Sequence, residues 1–173
     1  MHEVLRCRGD RHHRPKLGWG LRQERHEARR AGRRPLPGSH IADRNKAIDI
    51  KAELAGRTVL HGRGRETTEA EAQAAFATLA PFRDGSIFAG SFSGDSPWER
   101  HQNGDELVHI LDGATSLTIM ADGGPQSFQM TAGMMIVVPQ GHWHRFHAPE
   151  RVTVLTATPQ PTEHTFAADP RTA

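Results

Sequence analysis

Cysteine is almost absent from this chain of 173 residues, which contains Cys7 alone. One cysteine excludes an intrachain disulfide and a cysteine-based zinc site, and it favours a reducing, cytoplasmic location. Long apolar runs are absent too. No segment approaches the ~18 consecutive apolar residues of a membrane-spanning helix, and no apolar stretch follows the first basic residues, as a secretory signal requires. We therefore expect a soluble protein that does not enter a membrane.

The basic residues are concentrated at the amino terminus. Residues 1–40 contain ten Arg and one Lys against four acidic residues, whereas the rest of the chain contains eleven basic and sixteen acidic residues. The sequence pI of 9.2 therefore does not indicate a nucleic-acid-binding body. The basic segment has few aliphatic residues and cannot bury enough surface to offset chain entropy. We predict that residues 1–45 are a disordered basic tail, or upstream sequence included by a misplaced start codon.

A helix is predicted in residues 46–85, the lead-in to the main domain. Thr68 and Glu71 have the spacing of a capping box, in which each side chain satisfies a backbone N–H of the first turn. Apolar residues then recur at helical spacing up to Pro81, which should end the helix. We expect the narrow apolar stripe of this helix to pack on the outside of the barrel. Its apolar positions are Ala72, Ala75, Phe76 and Leu79.

From residue 86 onward, short segments of strand composition alternate with turn signals. This pattern predicts an all-β sandwich or barrel of about eight strands. The barrel should occupy residues 86–158, and residues 159–173 should form a C-terminal tail with turn and disorder signals. The candidate strands are roughly 86–92, 97–101, 106–111, 114–121, 125–130, 134–138, 142–147 and 151–158.

Two stretches carry histidines and carboxylates that can converge from separate hairpins. In the first, Glu99 and His101 have equal parity in a strand and should share a face; in the second, His142 and His144 do so. A transition metal requires imidazole nitrogens and carboxylate oxygens from different segments. The opposite parity of His109 and His147 predicts that they face outward. The first stretch spans residues 98–113 and the second 133–144.

These stretches resemble the two motifs of the cupin superfamily. The first motif is His-x-His, three or four residues, Glu, six residues and Gly. His101, Glu106 and Gly113 match its second histidine, its glutamate and its glycine. Glu99 stands in place of the first histidine. The second motif is Gly, five residues, Pro-x-Gly, two residues, His, three residues and Asn. The matching residues there are Gly133, Pro139, Gly141 and His144, and Ala148 replaces the Asn.

The resemblance covers residues 86–158 and implies a small single-domain cupin with a double-stranded β-helix, or jelly-roll, barrel. It also implies a divalent metal ion, iron, manganese or zinc. The implied ligand set is Glu99, His101, Glu106 and His144. Two carboxylates suit harder ions better than copper.

Several assignments stay open at the level of sequence. Asp105 is the alternative to Glu106, and His142 the alternative to His144. Glu99 could be a ligand, a catalytic general base, or a surface charge paired with Arg100. The aromatic residues are expected to fill the core, and these are Phe92, Trp98, Phe128, Trp143 and Phe146.

The implied function is that of a metal-dependent enzyme acting on a small polar metabolite, of dioxygenase, isomerase or lyase type. The alternative is a non-catalytic cupin that binds or senses a small ligand. Cupin sandwiches often pair through sheet edges, and such edges need protection, so we also predict a homodimer.

The first testable prediction concerns the basic segment. A chain beginning at Lys46 retains the capped helix, all candidate strands and all implied ligands. Because a segment that buries little surface adds little stability, we expect the same melting temperature within a few degrees, the same metal content and a dimer by light scattering, as for the full chain. Unfolding or metal loss on truncation would show that residues 1–45 supply a strand or a ligand such as His40.

Overall fold

The computed structural model describes residues 46–173; the predicted disordered tail, residues 1–45, lies outside the described residues. The first elements are α1 (Ile50–Ala55), β1 (Leu60–Arg63), α2 (Glu69–Ala75) and β2 (Phe76–Phe82). The following strands are β3 (Gly85–Asp95), β4 (Trp98–His101), β5 (Glu106–Ala121), β6 (Gly124–Thr131), β7 (Met135–Val138), β8 (His144–Pro159) and β9 (Thr162–Thr165). A 3-10 turn (Pro170–Thr172) follows β9.

The strands within residues 46–173 form one curled sheet around the long strand β8. β8 pairs antiparallel with β3 and with β5, and it also contacts β4 through the pair Glu99 and His144. β6 and β7 pair with β5, β1 and β2 pair with β3, and β9 pairs with β4. This architecture confirms the predicted all-β, jelly-roll fold class. No helix within residues 46–173 has the length and hydropathy that crossing a membrane would require.

The core lies inside the curl, where alternate residues of each strand point inward. Phe92, Trp98, Trp143 and Phe146 are buried as predicted, whereas Phe128 of β6 is 38% exposed. Two buried clusters make up this core. The larger contains Leu60, Ala75, Phe92, Val108, Ile110, Leu117, Ile119, Met130, Val138, Phe146, Ala148, Val152 and Val154, and the smaller contains Trp98, Met120 and Trp143.

Two predicted turns are bends within continuous strands. The predicted strands 106–111 and 114–121 merge into β5, and 142–147 and 151–158 merge into β8. The pairing of β5 with β8 shifts register between Ile110 and Asp112 and again between Gly113 and Ser116. Because such bulges bend a strand without ending it, Asp112 and Gly113 curve the sheet instead of reversing the chain.

Helix α2 begins as predicted but ends earlier. The backbone N–H of Glu71 donates to the Thr68 hydroxyl, and the N–H of Thr68 donates to the Glu71 carboxylate, so the capping box is present. The helix stops before Phe76, which begins β2, and does not continue to Pro81. The Phe76 ring lies against Gly90, where a Cβ would be 2.4 Å from a ring atom. This tertiary contact overrides the helical spacing of the apolar residues.

Three short strands have no counterpart in the sequence analysis. β1 and β2 lie in the predicted helical lead-in, and β9 lies in the segment predicted as a C-terminal tail. β1 runs parallel to β3, and β9 runs antiparallel to β4. Such short strands are stabilised mainly by their partners, so their own residues give little signal.

Gly113 yields the second prediction. Its φ is +76°, and an added Cβ would lie 2.3 Å from the carbonyl oxygen of Arg151. We expect Gly113→Ala to lower the free energy of unfolding by roughly 2–4 kcal/mol through strain and steric overlap. Gly123→Ala is the control, because nothing lies within 4 Å of its added Cβ, and it should change that free energy by less than about 1 kcal/mol. Chemical denaturation measures both, and equal effects would contradict the role of Gly113.

Candidate metal centre

Three buried side chains from three strands converge at one end of the barrel. They are His101 at the end of β4, Glu106 at the start of β5 and His144 at the start of β8. Their side chains are 3%, 3% and 0% exposed. Glu106 Oε2 lies 2.9 Å from His144 Nε2 and 3.4 Å from His101 Nε2. One ligand atom from each residue lies within 4.8 Å of the others, so the group could hold a metal ion.

Two hydrogen bonds donated by backbone N–H groups hold the two motif segments together. The N–H of Gly141 donates to the carbonyl of His101 at 2.9 Å. The N–H of Gln140 donates to the Asp105 carboxylate at 2.8 Å. The turn before β8 is therefore fixed against the β4–β5 connection, which brings His144 to His101 and Glu106.

Both imidazole rings are oriented by contacts at Nδ1. His101 Nδ1 lies 3.2 Å from the Thr162 hydroxyl of β9, and His144 Nδ1 lies 3.4 Å from the carbonyl oxygen of His142. Their Nε2 atoms point toward Glu106. Such contacts on the far side of a ring select its tautomer and direct the other nitrogen toward a metal.

The converging atoms have no hydrogen-bond partners. Although they lie close together, His101 Nε2, His144 Nε2 and Glu106 Oε2 do not have hydrogen-bond geometry with one another or with any other described group. A buried polar atom without a partner costs about 1–3 kcal/mol. Two imidazole nitrogens and one carboxylate oxygen form a donor set that fits a divalent transition metal.

The second oxygen of Glu106 is fixed by hydroxyl groups of β8. Thr158 Oγ1 donates to Glu106 Oε1 at 2.6 Å, and the Thr156 and Thr158 hydroxyls are 2.7 Å apart. These threonines hold the carboxylate so that Oε2 faces the histidines. No sequence motif marks these threonines, because only the pairing of β8 with β5 brings them to Glu106.

The electrostatics of the group favour an ionised Glu106. Burial opposes its charge, but close contacts with His101 and His144 outweigh burial and lower the pKa of Glu106 to about 2. Burial also opposes a charge on His144, but the contact with Glu106 outweighs it and raises the pKa of His144. The buried carboxylate thus requires a neighbouring positive charge, supplied by a proton or by a cation.

Glu99 lies beside this group but outside it. Its Oε2 atom is 4.0 Å from His144 Nε2, and its Oε1 atom accepts a hydrogen bond from Arg63 Nη2 at 2.6 Å. The alternative that Glu99 is a surface charge paired with Arg100 is wrong, because Arg100 pairs with Glu163. Adjacent residues of a strand point to opposite faces, which keeps Glu99 and Arg100 apart. Whether Glu99 binds a metal stays a prediction.

The alternative candidates lie outside the buried group. Asp105 is exposed and accepts from the Gln140 N–H, while the partly exposed His142 ring contacts the Gln140 carbonyl. His147 is exposed and pairs with Asp95, as its parity predicts. His109 is partly buried and also lies outside the group.

A cavity of about 300 Å³ lies next to the group, at the lower end of the range for small-molecule sites. Glu99 and Glu106 line its polar side, together with Arg63. Ala72 and Gln73 of α2 also line it, so this helix borders the cavity. The apolar lining consists of Phe76, Phe88, Phe92, Phe146 and Val154.

Residues 93–158 match the family model described as the cupin domain. This range lies within the 86–158 segment predicted from the motifs and contains the three converging residues and Glu99. The predicted resemblance to the cupin superfamily is therefore confirmed over these residues.

Among known proteins, the acireductone dioxygenase of Rhodopseudomonas palustris strain TIE-1 is 45% identical over 49 residues, 28% of this chain and 29% of that protein. The chain thus spans less than a third of the length of this curated relative.

Similar solved structures include a cupin-2 domain protein from Shewanella frigidimarina NCIMB 400, which is 22% identical. The match covers 53% of this chain and 80% of that chain, with a TM-score of 0.41. A conserved protein of unknown function from Streptococcus pyogenes is 23% identical. The match covers 68% of this chain and 89% of that chain, with a TM-score of 0.45.

Proposed function

We propose that this protein is a metal-dependent enzyme acting on a small polar metabolite, with the ion held by His101, Glu106 and His144. The observation that carries this proposal is the convergence of three buried ligand atoms that lack hydrogen-bond partners. One divalent ion would satisfy all three atoms. When bound, it would supply a Lewis acid toward oxygen atoms.

The donor set favours iron(II) or manganese. Two histidines and one carboxylate with open positions are typical of non-haem iron(II) oxygenases, and carboxylates suit manganese. Zinc also accepts imidazole and carboxylate ligands and stays a candidate. Elemental analysis of the purified protein identifies the ion.

Dioxygenation is the reaction class that we favour. The similarity to acireductone dioxygenase over 49 residues supports it, and so does the donor set. Dioxygen uptake by the iron-loaded protein, measured against small polar metabolites including acireductone, tests this class. Conversion of a metabolite without dioxygen uptake would indicate an isomerase or a lyase instead.

The residues of this chain have separable roles in such a reaction. Thr158 holds one oxygen of Glu106, and Thr162 orients His101. Glu99 faces the cavity with its second oxygen free of a hydrogen bond to Arg63, so it can accept a proton from a bound substrate.

A non-catalytic cupin that binds or senses a small ligand is the second candidate. The observation that favours it is Glu99, which replaces the first motif histidine and pairs with Arg63 instead of joining the buried group. Ligand binding by the metal-loaded protein without any conversion of the ligand would support this candidate.

The homodimer and the cytoplasmic location stay predictions. The dimer is supported by exposed apolar side chains on β7, which pairs with β5 alone within the described residues. Met135 is 57% exposed and Val137 is 47% exposed. Contact with a second copy would cover such an edge.

The third prediction tests the ligand set. His101→Ala and His144→Ala should each lower metal affinity about tenfold or more, because each removes one of three ligands. His109→Ala and His147→Ala are matched controls from β5 and β8, outside the group, and should retain the metal. Elemental analysis after equilibration with a fixed concentration of manganese measures all four variants. Full occupancy in both ligand variants would refute the site.

The fourth prediction concerns Glu99. Glu99→Gln keeps a hydrogen-bond acceptor for Arg63 and removes the basic oxygen. We expect it to retain the metal, because Glu99 lies outside the converging group, and to lower turnover by about a hundredfold or more, as loss of a general base does. Metal loss in this variant would make Glu99 a ligand, and unchanged turnover would remove it from the mechanism.

A further inference from the structure

Arg63 is the one Arg or Lys among the residues that line the cavity. Its side chain is 15% exposed, and its guanidinium carbon lies 5.2 Å from the centre of the Phe92 ring and 5.6 Å from that of Phe76. Such contacts with ring faces hold the planar group in place. Gly94 permits this position, because a Cβ there would lie 2.4 Å from the carbonyl oxygen of Arg63.

The guanidinium group has unused donors. Within residues 46–173 it makes one hydrogen bond, from Nη2 to Glu99. A guanidinium group carries five N–H donors in a planar fork that matches a carboxylate. The remaining donors are therefore available to a molecule in the cavity.

The formal charges around the cavity indicate which charge a bound molecule should carry. A divalent ion and Arg63 together exceed the negative charges of Glu99 and Glu106 by one. Glu69 also lines the cavity, but it is exposed on α2, where water screens its charge. The metal-bound cavity thus matches one negative charge, whereas the metal-free cavity is unfavourable to an anion.

We propose that the metal-bound cavity takes a small organic monoanion, whose anionic oxygens pair with Arg63 and whose apolar part lies against Phe76 and Phe88. This inference rests on the proposed function, because the positive charge comes partly from the ion. The cavity volume of about 300 Å³ limits the ligand to a small molecule, and the phenylalanine wall favours a planar, apolar body.

Benzoate is a suitable probe, with benzamide as its neutral counterpart. We expect the manganese-loaded full-length protein to bind benzoate about tenfold or more tightly than benzamide by calorimetry, because a carboxylate can form a bidentate, charge-assisted pair with arginine. Arg63→Gln should abolish this preference. Arg100→Gln is the matched control, since it breaks the Arg100–Glu163 pair outside the cavity, and it should keep the preference.

A double variant separates the Arg63 contact from net charge. Arg63→Gln with Glu99→Gln removes one charge of each sign, so it keeps the formal charge of the metal-bound cavity and leaves no unpaired carboxylate. We expect the preference for benzoate to be lost here too. Its retention would show that the ion alone attracts the anion, and the proposed pairing would be wrong.

Manganese content is measured in each protein before a probe is added. If the wild type binds no manganese, the proposed function fails and this inference falls with it. If it binds manganese but does not prefer benzoate, or binds neither probe at about 10 mM, above the ~1 μM to 1 mM range of typical KM values, only this inference fails.

Discussion

The ionised carboxylate of Glu106 is the constraint around which this end of the barrel is arranged. A buried charge is costly unless hydrogen bonds and opposite charge compensate for it. Here Thr158 donates to one oxygen, and two imidazoles approach the other. These groups come from β4, β5 and β8, so the compensation exists only when the three strands are in register. The charge therefore links the correct pairing of distant strands to the formation of the candidate metal centre.

The curvature of the sheet also helps to bring these groups together. β5 and β8 are 16 residues each, and the bulges near Gly113 bend them where a flat pair would continue. Along this bent course, β8 pairs with β3 from His147 to Pro159 and supplies His144 from its beginning. It also carries Thr158 near its other end. One strand thus contributes both a ligand and the group that orients another ligand.

The parts of this structure that were predictable are those encoded over short distances. The capping box of Thr68 and Glu71 depends on residues three apart, and the motif spacings identify His101, Glu106 and His144. The contacts that were not predictable join distant residues: Arg63 reaches Glu99 across 36 positions, and Thr158 reaches Glu106 across 52. They depend on strand register, which no local pattern specifies. Phe76 is the reverse case. Its local spacing predicts a helical residue, but its packing against Gly90 places it in β2.

The cavity draws its lining from residues before, within and after the segment matched by the cupin family model. Glu99, Glu106 and Phe146 belong to the segment matched by the cupin family model, whereas Arg63 and Phe88 precede it. The proposed metal ligands and the proposed anion-binding Arg63 therefore lie in separate parts of the chain. Under both proposals, substitutions before residue 93 would alter the molecule that the cavity accepts and would leave the proposed metal ligands in place.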